Sequence, residues 1–378
     1  MIPAVSFGMT GTRTLHVIDS LDPFGGASVA CLRLAKGLAD AGDTVHIASA
    51  DPPEGLSIVD PERVKLTLWP RDGAMGSILD DAIAAADVVH LHGVWDPALR
   101  EAAQRCRRAG KPYVLTPHGM LSTWPMAQKP WRKRLYLATA GRAMLRGAHT
   151  VHLTAEAERD QASRWVPRAK TWVAPLVNDL STYLDASLDP TGCPAIPDRP
   201  TDAPVALFLS RLHPKKGPDR AIAALPLIPR LHLAMAGRDD PAYRAELIAG
   251  AQRLGVADRV HWVGEVSEAE KIQLYQNVDF FLLPTHQENF GQVLVEAMAV
   301  NCPVVVTKGT DIWAKLEEGG AVISGPEPEA LAAAINPLLD DPEALKQRGL
   351  RGRPFVRGWL DPVACVQPYR ERYARMMR

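Results

Sequence analysis

Residues 280–307 read FFLLPTHQENFGQVLVEAMAVNCPVVVT. The apolar run 280–283 stops at Pro284, and a polar loop follows it. From Gly291 or its neighbour the apolar residues Val293, Leu294, Ala297 and Met298 recur at helical spacing. After Asn301 the chain returns to a short β-branched run, 303–307. A brief apolar strand, an amphipathic helix and a second brief strand form one crossover unit of a parallel sheet.

The same rhythm extends in both directions. Strands are expected at 15–18, 44–48, 88–91, 113–116 and 151–153, then at 205–209, 231–236, 260–263, 280–283 and 303–307. Each is short and followed by turn residues and a helical stretch, as in parallel sheets buried on both faces. The fold class is therefore α/β. With 378 residues the chain exceeds what one hydrophobic core usually supports, so two α/β domains, each a parallel sheet with helices on both faces, are expected. The division falls at 187–204, SLDPTGCPAIPDRPTDAP, where prolines 190, 194, 197, 200 and 204 forbid helix or central strand. This predicts a first domain over 1–186, a linker over 187–204 and a second domain over 205–360. A final helix over 361–378 is expected to pack back on the first domain.

Formal net charge is zero, which offers no field for nucleic acid. Cys31, Cys106, Cys193, Cys302 and Cys365 are odd in number and form no CxxC pair, arguing for a reducing compartment and against a structural zinc site. The N-terminal MIPAVSFGMTGTR lacks a basic region ahead of its apolar stretch, and no apolar run reaches membrane-spanning length. A cytoplasmic protein is expected.

Two loops carry chemistry. VALFLS at 205–210 runs into RLHPKKG, so Arg211, Lys215 and Lys216 follow a parallel strand at its ligand-binding end. A forked guanidinium beside an ammonium suits a diphosphate, although a solvated basic loop reads the same locally. Gly25-Gly26 opens a helix and would let backbone approach a ligand, but it is not GxGxxG, which counts against a nicotinamide enzyme. Glu288 and Glu296 stand eight residues apart. On one helix face that spacing is about 12 Å, the reach of a nucleotide sugar.

These pieces together resemble the retaining, nucleotide-sugar-dependent glycosyltransferases of group 1, or GT4, with the GT-B fold. The resemblance is carried by Gly25-Gly26, TPHG at 116–119, SRLHPKKG at 210–217 and ENFGQVLVE at 288–296, the Glu-x7-Glu element. It implies two Rossmann-like domains whose parallel sheets face across a cleft. It implies that Arg211 and Lys216 stabilise the departing diphosphate, that Glu288 contacts the donor sugar and Glu296 the ribose, and that His118 reaches the sugar. Gly25, Gly26, Asn289, Phe290 and Gly291 would complete the donor site, with a UDP- or GDP-linked sugar as substrate and no cofactor or metal. Ser210 and Asn289 stand where the family usually has glycine, and Asn289 could add a contact to the sugar.

Between 100 and 150 there are eleven Lys or Arg residues and one acid, Glu101. Trp124, Lys129, Trp131, Arg132, Lys133 and Arg134 lie in this stretch, a composition that suits an anionic membrane surface or an anionic saccharide. The leading expectation is a retaining hexosyltransferase acting on a saccharide or polyprenyl-linked acceptor in surface polysaccharide or glycolipid synthesis. A GT-B epimerase or phosphorylase and an inactive sugar-nucleotide-binding scaffold are the alternatives.

Overall fold

The computed structural model describes residues 11–22, 25–50, 60, 62–70, 76–187, 196–200 and 202–378. The expectation about the N-terminal leader, Cys193 and half of the stretch 187–204 lie outside the described residues. The chain forms two units. One comprises Met1–Asp179 with Asp361–Arg378, the other Leu180–Leu360.

In the first unit seven strands form one parallel sheet: β1 (Arg13–Ile18), β2 (Thr44–Ser49), β3 (Val64–Leu68), β4 (Val88–His92), β5 (Tyr113–Thr116), β6 (Thr150–Leu153) and β7 (Thr171–Val173). Their order is β3-β2-β1-β4-β5-β6-β7, so the strand order reverses between β1 and β4. The second unit holds β8 (Val205–Leu209), β9 (His232–Ala236), β10 (Val260–Gly264), β11 (Phe280–Leu283), β12 (Val304–Thr307) and β13 (Val322–Ser324). Here the order is β10-β9-β8-β11-β12-β13, again all parallel, with the reversal between β8 and β11. Doubly wound sheets bind ligands in the crevice beyond the strand C-termini at such reversals.

All ten expected strands are present. The other three, β3, β7 and β13, are sheet edges and only partly buried. One expectation needs correction. The central strands of the first sheet are not apolar on both faces. Leu15, Val17, Val89, Leu91, Leu115, Val151 and Leu153 join the hydrophobic core on one face. Alternate residues present His16, His90, His92, Thr116 and His152 on the other, all buried.

That polar face is covered by the helix Pro362–Met376, which belongs to this unit. Tyr373 Oη lies 2.7 Å from His90 Nδ1, and Tyr369 Oη lies 3.1 Å from His152 Nε2. Arg370 secures the helix by an ion pair with the buried Asp43, 3.0 Å away. The four described cysteines, Cys31, Cys106, Cys302 and Cys365, are buried. Among the described residues no helix is long and apolar enough to cross a membrane.

Candidate active site

The loop that follows β8 begins at Ser210 and closes at Gly217, next to the helix Pro218–Ala224. Gly217 adopts φ 73°, and a Cβ there would sit 2.2 Å from the Pro284 carbonyl oxygen. Only glycine lets this loop touch the one after β11. The two are then stitched together: the Thr285 hydroxyl and the His286 N–H both donate to the Lys215 carbonyl at 2.9 Å. Arg220 donates to the Pro284 carbonyl and to His286 Nδ1. The helix after Gly217 has seven residues, so its dipole is small. The positive charge here resides on side chains.

Those side chains are Arg211, Lys215 and Lys216. Arg211 is exposed, with no carboxylate partner among the described residues. Lys216 forms an ion pair with Glu288 across the two loops, both side chains mostly buried. Burial works to raise the Glu288 carboxyl, but the Lys216 and Lys215 ammonium groups outweigh it and hold it below the ordinary carboxylate range. Burial in turn pushes Lys215 down, assisted by Lys216 and Arg211. Nothing in the local sequence gives Lys215 a role; its place beside Glu288 makes it a third cation of the cluster.

Glu288 does not stand on a helix. It continues the sheet by one bridge to Thr310, receiving the Asp311 N–H and donating its own to the Gly309 carbonyl. Gly291 turns the chain at φ 70° and the helix begins only at Gln292. The separation of Glu288 from Glu296 is therefore not the helical spacing of i and i+8. Asn289 is buried, and its amide donates to Asp311 Oδ2 at 3.3 Å. The Phe290 ring is buried and stacks on Trp359, centroids 5.7 Å apart. Neither side chain is left reaching outward; their backbone is what lies along the loop.

Glu296, on the helix Gln292–Ala299, is 3% exposed and pairs with Lys271 Nζ at 3.2 Å. Lys271 also meets Glu268 at 2.8 Å and donates to the Tyr183 hydroxyl at 3.0 Å. Burial works against the charged Lys271, and the two carboxylates more than offset it, so its ammonium is held above the ordinary range. Lys271, Tyr183 and Asp311 were not picked out by sequence, because nothing local marks a residue whose partner is supplied by another element.

The first unit carries the remaining residues. Gly25 precedes the helix Gly26–Asp40, and a Cβ on Gly26 would meet nothing within 4 Å. His118 follows β5 in the left-handed region at φ 50°, which is rare outside glycine and costly. The turn is pinned by the buried Glu158, whose carboxylate accepts the N–H groups of Gly119 (2.8 Å) and Thr154 (2.7 Å). In the basic stretch the helix Pro130–Ala138 leaves Trp131 69% and Leu135 58% exposed. Lys129, Arg132 and Arg134 are exposed around them. Lys133 instead lies over the Trp95 ring and donates to the Pro125 carbonyl, and Trp124 is half-buried. Arg105 is neutralised by Asp80 and Glu101, so part of the apparent basic excess is internal.

A family model described as glycosyl transferases group 1 matches residues 194–354, and one described as a glycosyl transferase 4-like domain matches 25–176. A D-inositol 3-phosphate glycosyltransferase of Mycolicibacterium smegmatis is 30% identical over 210 residues, 52% of this chain and 48% of that one. The D-inositol 3-phosphate glycosyltransferase 2 of Catenulispora acidiphila is 34% identical over 163 residues, 40% and 38% of the two. These matches span about half or less of the relatives' own length. Among solved structures, the Anabaena protein HepE in complex with UDP and glucose superposes with TM-score 0.77 at 20% identity, over 96% of this chain and 100% of that one. A sucrose-phosphate synthase of Thermosynechococcus elongatus gives 0.75 at 23% identity, over the same shares. At such identities the likeness concerns the fold.

Proposed function

This chain belongs to the group 1 glycosyl transferases and has the GT-B fold, and from that premise we propose that it moves a hexose from a nucleoside-diphosphate sugar to a saccharide or lipid-linked saccharide, retaining the anomeric configuration. One observation carries the reading: Arg211, Lys215 and Lys216 gather beyond the C-terminal end of β8, beside the reversal of strand order, with Glu288 from the neighbouring loop facing them. A doubly charged diphosphate is the ligand that such a cluster fits.

In this reading Glu288 holds Lys216 in place until the donor arrives. The diphosphate then takes the ammonium, and the carboxylate turns to the sugar. The bond from the anomeric carbon to the diphosphate lengthens into an oxocarbenium-like state, and the cations stabilise the charge gathering on the leaving oxygen. That oxygen accepts the acceptor hydroxyl's proton as the new glycosidic bond forms on the same face. No metal is required. Glu296, oriented by Lys271, receives the ribose hydroxyls.

The test is calorimetry and thermal shift with UDP, GDP, ADP, CMP, dTDP and NAD, on the wild type and Glu296→Ala. Selective binding of one nucleoside diphosphate, weakened in the variant, is expected. Binding of none, or of NAD alone, would set the reading aside.

The exposed Trp131 and Leu135 among Lys129, Arg132 and Arg134 favour an anionic lipid surface as the place where the acceptor is met, which suits glycolipid or surface-polysaccharide synthesis. Sedimentation with anionic but not neutral vesicles, reduced in Trp131→Ala, is expected. Equal recovery with both, or none with either, would remove the membrane.

A further inference from the structure

The polar face of the first sheet contains a chain of imidazoles. His118 Nε2 lies 3.0 Å from His92 Nδ1, and His92 Nε2 lies 3.1 Å from His16 Nδ1. The ring centroids are 5.3 and 5.4 Å apart, with planes 19° and 28° from parallel, as for rings joined edge to edge by N–H···N bonds. One nitrogen from each of His16, His90 and His92 also lies within 4.8 Å of the others, the reach of a metal ion. The ring planes argue against that use. His90 lies face to face on His92, centroids 4.3 Å apart at 19°, so no ion can lie in both planes, as imidazole ligation requires. Both His90 nitrogens are already engaged, by Tyr373 and Thr116.

Burial keeps every ring of the chain neutral: His16 and His118 are pushed down to about 3, and His92 far below its ordinary value. A neutral imidazole has one N–H and one lone pair, so the chain has a direction, and only two directions are available. With protons pointing inward, His16 would carry its own on Nε2. That atom is buried and has no hydrogen-bond partner among the described residues. A buried donor without an acceptor is the rarer and costlier defect, so the protons point outward. His16 Nδ1–H donates to His92 Nε2, and His92 Nδ1–H donates to His118 Nε2.

We infer that His92, anchored by His16, is a positioning residue that fixes His118 as a neutral Nδ1–H donor with no lone pair to offer a ligand. The chain ends blind at His16, so it sets a direction and conducts no proton away. The left-handed backbone at His118 and the Glu158 clasp on Gly119 fix the turn that carries the ring. Resting on the function proposed above, the consequence is that His118 binds an oxygen of the donor and cannot serve as the base that deprotonates the acceptor.

The experiment is a long-range 1H–15N correlation spectrum of the uniformly 15N-labelled full chain near pH 7, with His118 assigned by its absence in His118→Gln. A protonated-type Nδ1 and a bare Nε2 are expected; the reverse, or a doubly protonated ring, overturns the inference. In His92→Leu the two His118 nitrogens should move toward averaged shifts, and His92→Gln, whose amide can still donate, should restore the pattern. An unchanged pattern in His92→Leu overturns the role of His92. Should that variant not fold, the wild-type spectrum alone remains decisive for the tautomer. Adding UDP-glucose separates this inference from the functional reading. A fixed Nδ1–H that does not shift with UDP-glucose overturns the donor contact and leaves the tautomer standing.

Discussion

Lys216 has two partners in view, one present and one proposed. Glu288 holds its ammonium between two loops, and the leaving diphosphate is expected to take it during reaction. Lys216→Ala should therefore lower kcat by roughly 10²–10³-fold, about 3–4 kcal/mol of transition-state stabilisation. Steady-state turnover with the nucleotide sugar selected by the binding panel checks this, and near-normal turnover would refute it. Gly217→Ala should act differently: its Cβ would collide with the Pro284 carbonyl at a positive φ, costing about 1–3 kcal/mol of stability, measurable by urea unfolding. The residue types of Arg211, Lys216, Glu288 and Glu296 were legible because each belongs to a local sequence pattern. Their orienting partners were not. Lys271 and Glu158 are ordinary helical charges in sequence, and become specific only when folding buries them against Glu296 and Gly119.

At the scale of the element, ten strands could be read, the edge strand β10 among them, because short, mostly apolar and β-branched stretches between turn residues stand out. The edge strands β3, β7 and β13 could not, since a half-exposed strand of three to five residues carries no such run. The alternation Val88-Val89-His90-Leu91-His92 was the visible sign of the polar face, and it was read simply as a strand. That face gives the first unit an acid-sensitive window. In the unfolded chain a histidine titrates near 6.5, whereas burial pushes His16 to about 3 and His152 to about 4, with His90 and His92 well below the ordinary value. Between those limits the unfolded state binds more protons, so stability falls as pH falls and levels off above about 6.5. Each fully buried histidine contributes about 1.4 kcal/mol per pH unit in the window, and the four together about 5.6 kcal/mol per pH unit. Hydrogen exchange resolved by unit should show the first sheet losing protection near pH 5 while the second keeps it. Loss of both at one pH would refute the assignment. Glu288 adds a separate term: held below the ordinary carboxylate range, it stabilises at neutral pH and loses that contribution only as pH falls through its folded value.

For the whole molecule, the alternation of strands and helices was enough to give two doubly wound sheets. The contact boundary at Asp179 and Leu180 could not be read, because the short helix Ser181–Leu184 is assigned by packing: Tyr183 is buried and bonded to Glu268 and Lys271. The return of Asp361–Arg378 to the first unit has a direct test. Removing those residues uncovers His90 and His152 and deletes two fully buried tyrosines, at a cost of about 5 kcal/mol or more. The first unit should then be cleaved readily by protease while Leu180–Leu360 resists. Equal resistance of both would show the helix to be dispensable.

The same helix imposes an order on synthesis. A ribosome delivers β1 to β7 first, yet their histidine-bearing face waits for Tyr369 and Tyr373, almost two hundred residues after β7 has emerged. The second unit, continuous from Leu180 to Leu360, has all its parts sooner. During translation the segment made first is thus the last that can close, and its open seam is where a nascent-chain chaperone would find its longest opportunity to bind.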